Sequence, residues 1–229
     1  MNTSPVTTCG EHARSQLIRS ALSQFGEYGL HATTRDIAAG AGQNIAAISY
    51  YFGSKDDLYL ACAQWIADFI HHNLDDYLQQ ARALVAAQPP DRLAIRELLR
   101  QAAERLIHLL TADDTMNISR YISREQLSPS RAYHLIHDQV IEPLHVTFTA
   151  MLAVYTGRQA DDIETIIHAQ AMVGEILTFR LLRETVLLRT GWSTFDDQKT
   201  QLICQVVNQH FDFILQGLTM PQGTVSHEE

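Results

Sequence analysis

The stretch TTRDIAAGAGQNIAAISYYFGSK, from Thr33 to Lys55, holds two short helical patterns that meet at a tight glycine. Ala39 to Gly42 (AGAG) ends the first pattern, and Asn44 opens the second. Helix, glycine turn, helix is the arrangement that lays a second helix in the major groove of DNA. The chemistry offered there is hydrogen bonding to base edges and phosphates, not bond making.

Eleven histidines raise metal binding as a second chemistry. His71 and His72 are adjacent on a helix and point apart. His134 and His137 could share a face, with Asp138 beside them. Glu142-x-x-His145 has the spacing of di-iron carboxylate bundles, but those need two copies of it. Glu104 and Glu164 each precede a histidine by four residues, not three. Scattered helical histidine is the better reading, so no metal and no cofactor are expected. Nucleophile elbow, phosphate loop and Ser/His/Asp signatures are missing, and no enzyme is expected.

The elements that carry these residues read as helices throughout. Residues 1–10 read as a flexible tail. Residues 11–28 form a first helix with Leu17, Ile18, Ala21, Leu22 and Phe25 at helical spacing. Arg14 and Arg19 are read as off that face. Gly26 and Gly29 end it, Gly29 as a left-handed cap onto which Leu30 folds back. Thr33-x-x-Asp36 is a capping box with Asp in place of Glu. Ile37 and Ala38 then face inward, Gly42 permits the turn, Asn44 caps the third helix, and Ile48 and Phe52 anchor it.

Ser54-x-x-Asp57 starts a fourth helix, free of Pro and Gly over 54–87 and roughly 50 Å long. Pro89-Pro90 stop it, and Asp91 caps a fifth helix over 92–110. A shorter helix covers 116–127. Ser128-Pro129 starts the next, which runs to Tyr155 with a bend at Pro143 and closes at Thr156-Gly157. Residues 161–189 are helical, Gly191-Trp192 is a break, and 196–218 is the last helix. No strand alternation, internal repeat or low-complexity segment is visible.

The fold class is therefore all-α. A three-helix helix-turn-helix domain at 11–58 precedes a larger helical domain at 59–219, and 220–229 is a loose tail. Ile163, Ile167, Gly174, Leu177 and Leu181 make one stripe on the late helix, while Ile166, Ala169, Val173 and Ile176 make a second. The last helix shows Ile203, Val207, Phe211, Ile214 and Leu218 on one face, with Leu202 and Val206 beside it. A helix apolar on two sides is buried on two sides, by its own core and by a second copy of the chain. A large single core would absorb both stripes as well. The dimer is the favoured reading, with Ile166, Val173, Leu177, Val207, Phe211 and Ile214 at its interface.

A net charge of −9 looks wrong for a DNA binder, but its distribution matters more than its sum. Residues 1–60 hold four basic and five acidic side chains; 61–229 hold thirteen and twenty-one. No run nears the ~18 apolar residues of a membrane span. Cys9, Cys62 and Cys204 are odd in number and far apart. The N-terminus lacks a signal-peptide pattern. A reduced, cytoplasmic protein is expected.

Thr-Thr-Arg-Asp-Ile-Ala (33–38), Ala-Gly (41–42) and Tyr-Tyr-Phe-Gly-Ser-Lys (50–55) resemble the DNA-binding domain of the TetR family of transcriptional regulators, over about residues 11–60. The run 44–55, Arg124-Glu125 before Ser128-Pro129, and Gly174 with Phe179-Arg180 resemble its CecR-like branch. The resemblance implies a homodimer whose two recognition helices read a palindromic operator. It also implies a small molecule, bound in the C-terminal domain, that releases the DNA. Thr34 and Arg35 would contact the backbone or a base edge. Asn44, Ala46, Ala47 and Ser49 would lie on the exposed side of the third helix. The two alanines are small enough to touch a thymine methyl, and Asn44 and Ser49 can hydrogen-bond to a base or phosphate. Tyr50 and Tyr51 take the phosphate-clamping positions, and Lys55 meets a phosphate at a helix start.

Two residues depart from the family pattern. Gln43 replaces a usual apolar residue and either reaches DNA or is half buried. Ile45 replaces a usual polar one and either packs with Ile48 or faces the groove. An effector pocket between core helices draws on Trp65, Phe69, His108, Met116, Tyr121, Arg124, His168 and Met172. The expected function is a DNA-binding transcriptional regulator, as a ligand-responsive repressor with operator half-sites about 34–36 Å apart. The alternative is a small-molecule-binding helical sensor without DNA affinity.

Overall fold

A computed structural model describes residues 5–219, with side chains from residue 10 onward. The expected tail at 220–229 lies outside the described residues, as do residues 1–4 of the expected N-terminal one. Residues 5–10 are helical and belong to the first helix. In chain order the helices are α1 (Pro5–Tyr28), α2 (Thr34–Gly40), α3 (Ala46–Phe52), α4 (Lys55–Ala86), α5 (Arg92–Thr111), α6 (Met116–Leu127), α7 (Arg131–Ile136), α8 (Glu142–Thr156), α9 (Ile163–Leu181), α10 (Arg183–Thr190) and α11 (Asp197–Thr219). No strand occurs among the described residues, so the all-α reading holds.

The chain forms two compact units, and they are not the two segments drawn from the sequence. One comprises Met1–Asp75 with Asp113–Pro143; the other comprises Asp76–Ala112 with Leu144–Glu229. In the first, Leu17, Ile18, Phe25, Ile37, Ile48, Leu58, Ile66, Tyr121 and Ile136 share one core. Full burial of each such side chain contributes about 1.5–3 kcal/mol. Helices α1, α2 and α3 could not bury this much alone, and α4, α6 and α7 close around them.

Gly26 does not end α1. It is where α6 crosses: a Cβ there would lie 3.2 Å from the Asn117 carbonyl oxygen and 3.3 Å from the Arg120 Cβ. The helix ends at Tyr28, and Gly29 follows with φ +59°. Leu30 stays exposed and does not fold back. Phe25 meets Tyr59 edge to face and Tyr59 lies tilted on Tyr121, with centroids 4.8 and 4.6 Å apart.

Ser130, not Ser128, caps α7, accepting from the Ala132 N–H at 3.1 Å. A buried carboxylate completes the cap. Glu125 Oε2 accepts from the Ser130 N–H (3.1 Å), the Ser130 hydroxyl (2.7 Å) and the Tyr133 N–H (2.9 Å). Its Oε1 accepts from the Tyr59 hydroxyl at 2.6 Å. Burial, then this bond, hold the Tyr59 phenol well above its ordinary range. The bend expected at Pro143 is a π-helical turn, His137–Ile141, just before it. Pro143 has no N–H to give to residue 139, and its ring crowds that carbonyl, so the chain widens by one residue.

In the second unit Tyr77, Leu99, Ile107, Met151, Met172, Ile176, Val207 and Phe211 lie in one core. The helix expected over 161–189 breaks at Leu182 into α9 and α10. The end of α5 is covered there. Arg180 donates to the Leu109 and Ala112 carbonyls at 3.2 and 2.7 Å. Arg183 reaches the Thr111 carbonyl and lies 4.7 Å over the Phe195 ring. Cations at a helix C-terminus meet its negative dipole end. Cys62 and Cys204 are buried free thiols in the first and second units. Burial pushes both up, Cys204 to about 11, so they pack as small apolar groups.

Candidate nucleic-acid interface

Each joint of the α2–turn–α3 unit is made by local chemistry. The Thr33 hydroxyl accepts from the Asp36 N–H at 3.1 Å and donates to the Asp36 carboxylate at 2.6 Å. Ile37 and Ala38 turn inward and are buried. At the far end the Gly42 N–H reaches the Ala39 carbonyl (3.0 Å) and the Gln43 N–H the Ala38 carbonyl (2.9 Å). This is the paired closure of a helix end on a left-handed residue, and Gly42 has φ +63°. Gly40 has another role. A Cβ on it would lie 2.5 Å from the Ser20 Oγ, whose hydroxyl donates to the Ile37 carbonyl at 2.7 Å. Glycine there lets α2 rest on α1.

Asn44 starts α3: its side-chain oxygen accepts from the Ala46 N–H and its carbonyl from the Ala47 N–H, both at 2.9 Å. Gly53, at φ +87°, ends it. The Ser54 hydroxyl then accepts from the Asp57 N–H (3.1 Å) and donates to its carboxylate (2.6 Å), opening α4.

Ile48 is the buried anchor of α3, with Ala47, Tyr51 and Phe52 half-buried beside it. Asn44, Ile45, Ala46, Ser49 and Tyr50 stay exposed on the other side. Ile45 is 50% exposed, so it faces out instead of packing under Ile48, and Tyr50 is 82% exposed. Gln43 is half-buried and donates to the Gln16 side chain at 3.0 Å, which ties it to α1. Thr34 is half-buried and Arg35 exposed at the start of α2. Tyr50 and Tyr51 meet edge to face at 4.9 Å.

Lys55 departs from expectation. Its ammonium donates to the Leu30 carbonyl at 2.7 Å and reaches the Ala32 carbonyl at 3.5 Å. The short 3-10 turn Gly29–His31 ends on this cation, so the charge is already engaged by main chain.

The eight residues expected around an effector are divided between the two units. Trp65, Phe69, Met116, Tyr121 and Arg124 belong to the first unit; His108, His168 and Met172 belong to the second. Trp65 and Phe69 stack at 5.5 Å, and Met172 is core. Tyr121 is fully buried, and its hydroxyl donates to the Tyr59 carbonyl at 2.8 Å. Arg124 lies along the end of α1, donating to the Gly26 carbonyl at 2.9 Å and also to the Glu27 carbonyl. These two residues hold α6 in place. His108 is exposed, and His168 pairs with Glu164 at 3.5 Å.

Two of the expected interface residues are also corrected. Val207 and Phe211 are fully buried within their own chain and have no surface for a partner. Val173, Leu177 and Ile214 are half-buried, and Ile166 is exposed. The outward apolar side of the second unit runs through Ile163, Ile167 and Leu181 on α9 and Leu202, Val206 and Phe213 on α11. Among the described residues, the one grouping with metal-ligand atoms in reach of one another is His137, Asp138 and Glu142, within 4.8 Å. It leaves out His134, and its carboxylates are exposed.

Sequence reasoning did not single out Gln16 and gave Glu125 and Arg14 no such role. Arg14 had a readable signal. It stands four residues before Ile18, on the apolar stripe itself, and its guanidinium carbon lies 5.2 Å from the centre of the Phe52 ring.

A capped α2, a glycine corner and an uncharged, outward α3 define a helix-turn-helix regulator of transcription that binds DNA. The comparisons agree. Residues 17–62 match the bacterial regulatory proteins of the tetR family, and residues 95–218 match the C-terminal domain of the HTH-type transcriptional dual regulator CecR. The chain belongs to the TetR family of transcriptional regulators. It is 60% identical over 219 residues to the HTH-type transcriptional dual regulator CecR of Shigella flexneri, covering 96% of this chain and 98% of that one. Solved structures share its fold. A TetR-like transcriptional regulator from Rhodococcus sp. RHA1 has a TM-score of 0.57 at 19% identity, over 91% of this chain and 97% of that one. A TetR transcription regulator from Haloarcula marismortui has 0.56 at 16%, over 90% and 98%. Among the described residues no helix is long and apolar enough to cross a membrane.

Proposed function

We propose that the protein acts in the cytoplasm as a homodimer that lays two copies of α3 on a palindromic operator, and that a small-molecule effector controls occupancy. Residues 11–58 bind DNA; residues 59–219 pair the subunits and hold the effector. The outward face of α3 carries this reading: Asn44, Ile45, Ala46, Ser49 and Tyr50 are exposed, and none is charged. Such a face can enter a groove without repelling phosphates. Asn44 and Ser49 supply hydrogen bonds, Ala46 and Ile45 supply contact to a thymine methyl, and Tyr50 reaches the flanking phosphate. Thr34 and Arg35 add backbone contacts from α2.

Pairing is supported by the outward apolar side of α9 and α11. The outcome at a promoter depends on where the operator lies. Repression by occupancy is the basic mode, and the Shigella relative's name, dual regulator, fits a protein that acts in both directions.

Selection of duplexes from a random pool tests the reading, with an enriched palindrome expected. Ala46→Glu sets a carboxylate against phosphates and bases, and like charge in an interface costs several kcal/mol, so affinity falls about 100-fold or more. Because Ala46 is exposed, the thermal midpoint stays put. Undiminished binding by this variant removes α3 from the groove. A pool with no enriched sequence turns the reading toward a sensor that does not bind DNA.

A further inference from the structure

We propose that Arg14, on the first helix and outside the helix-turn-helix, binds a backbone phosphate of the operator. It supplies affinity without reading sequence. The proposal rests on α3 lying in the groove.

Helix α1 starts at Pro5, well before its core-facing stripe begins at Leu17. The extra turns continue the same stripe past the core. Gly10, Arg14 and Ile18 fall in line at spacings of four. Ile18 is buried under the helix-turn-helix. One turn earlier, Arg14 places its guanidinium over the Phe52 ring at 5.2 Å. A further turn on, Gly10 faces the Tyr51 hydroxyl, which a Cβ built there would meet at 3.6 Å. Gln16 holds Gln43 beside the glycine corner. The first half of α1 is thus fixed to both ends of α3.

Arg14 is exposed although it lies on this stripe. Its guanidinium lies over Phe52 and remains at the surface, at the end of α3 that carries Tyr50 and Tyr51. A phosphate that meets those tyrosines comes next to this guanidinium. Scarcity adds weight. Residues 1–60 hold four basic side chains, and the Lys55 charge is engaged by two carbonyls. Arg14, Arg19 and Arg35 are left to meet phosphates, and Arg14 is the one packed on α3. Its contact with Phe52 alone, a cation–π pair, would justify the arginine structurally. The measurement must therefore separate charge from packing.

The probe is a duplex operator selected from a random pool by the wild-type protein. Its Kd is measured from 50 to 300 mM KCl for the wild type, Arg14→Gln, Arg14→Met and Arg14→Lys. Each phosphate contact adds about 0.9 to the slope of log affinity against log salt, so losing one per subunit flattens a dimer's slope by about 1.8. Across that sixfold salt range the deficit of Arg14→Gln therefore shrinks by about 25-fold. Arg14→Met leaves an apolar side chain to pack beside Phe52 and should flatten the slope equally, whereas Arg14→Lys should retain it. The ranking of operator variants should not move. Slopes parallel to wild type for the Gln and Met variants, at any affinity, overturn the proposal and leave Arg14 a packing residue. A wild-type protein that selects no duplex overturns the placement of α3, and this proposal falls with it.

Discussion

Glu125 offers the sharpest test of what holds the first unit together. Its carboxylate is 4% exposed and accepts four hydrogen bonds: one from Tyr59 on α4 and three at the start of α7. Glu125→Gln keeps the shape but replaces one acceptor oxygen with a donor. If the amide oxygen stays with the α7 N–H groups, the NH2 faces the Tyr59 oxygen and the phenol proton is left without an acceptor. Hydrogen bonds to a charged group contribute about 1.5–3 kcal/mol and neutral ones about 1, so one lost and three weakened bonds amount to about 3 kcal/mol at the lower end of those ranges. Glu125→Ala strands two backbone donors and a phenol, at about 4 kcal/mol, moderated where water reaches half-buried Ser130. Trp65 lies in the first unit and Trp192 in the second, and the chain has no other tryptophan. In a Trp192→Phe background, fluorescence therefore follows the first unit alone. Urea unfolding at fixed protomer concentration should show the loss, and a thermal scan should fall by about 5–10 °C. A cycle with Tyr59→Phe should return a coupling of about 1 kcal/mol or more, since both changes break one bond. An Glu125→Gln variant within about 0.5 kcal/mol of wild type, or a coupling of zero, refutes the assignment.

Lys55→Met removes the cation from the Leu30 and Ala32 carbonyls and should cost about 1 kcal/mol of stability in urea. If stability is unchanged while operator affinity drops, the ammonium serves a phosphate instead. Ile167→Asp puts a carboxylate on the outward side of α9 and should shift the protein to monomers in analytical ultracentrifugation. Val207→Ala is the control: it should cost about 2 kcal/mol of stability through a cavity and leave the association constant alone. The opposite pattern would return Val207 to the subunit interface.

The parts of the fold written in short-range chemistry were legible. Thr33 with Asp36, Asn44, Ser54 with Asp57, and Asp91 each satisfy N–H groups two or three residues away, so their meaning needs no tertiary context. Gly42 is likewise a local requirement, a left-handed residue at a helix end. The cap of α7 shows where such reading stops. Ser128-Pro129 has the right composition, yet Ser130 takes the role because Glu125, one turn back on α6, reaches the Ser130 and Tyr133 N–H groups. That choice depends on how α6 and α7 meet, and the sequence lists both serines with equal standing.

Long-range contacts reassigned residues whose types were read correctly. Lys55 is a cation at a helix start in any reading; only the fold brings the Leu30 carbonyl to 2.7 Å from it. Gly26 looks like a stop signal until α6 lies across it. On α9 and α11 the pattern revealed two apolar sides per helix and could not say which belongs to the chain itself. Phe211 went to the core and Phe213, two residues on, to the surface. Residues two apart on a helix point roughly 200° apart, so naming the wrong one inverts the interface. The rows were visible in the sequence, but their direction is a property of what α5 and α9 place against them. That is why a dimer surface is argued from Ile167 on α9 and Leu202 on α11, and not from Val207 and Phe211, which share α11 with Leu202.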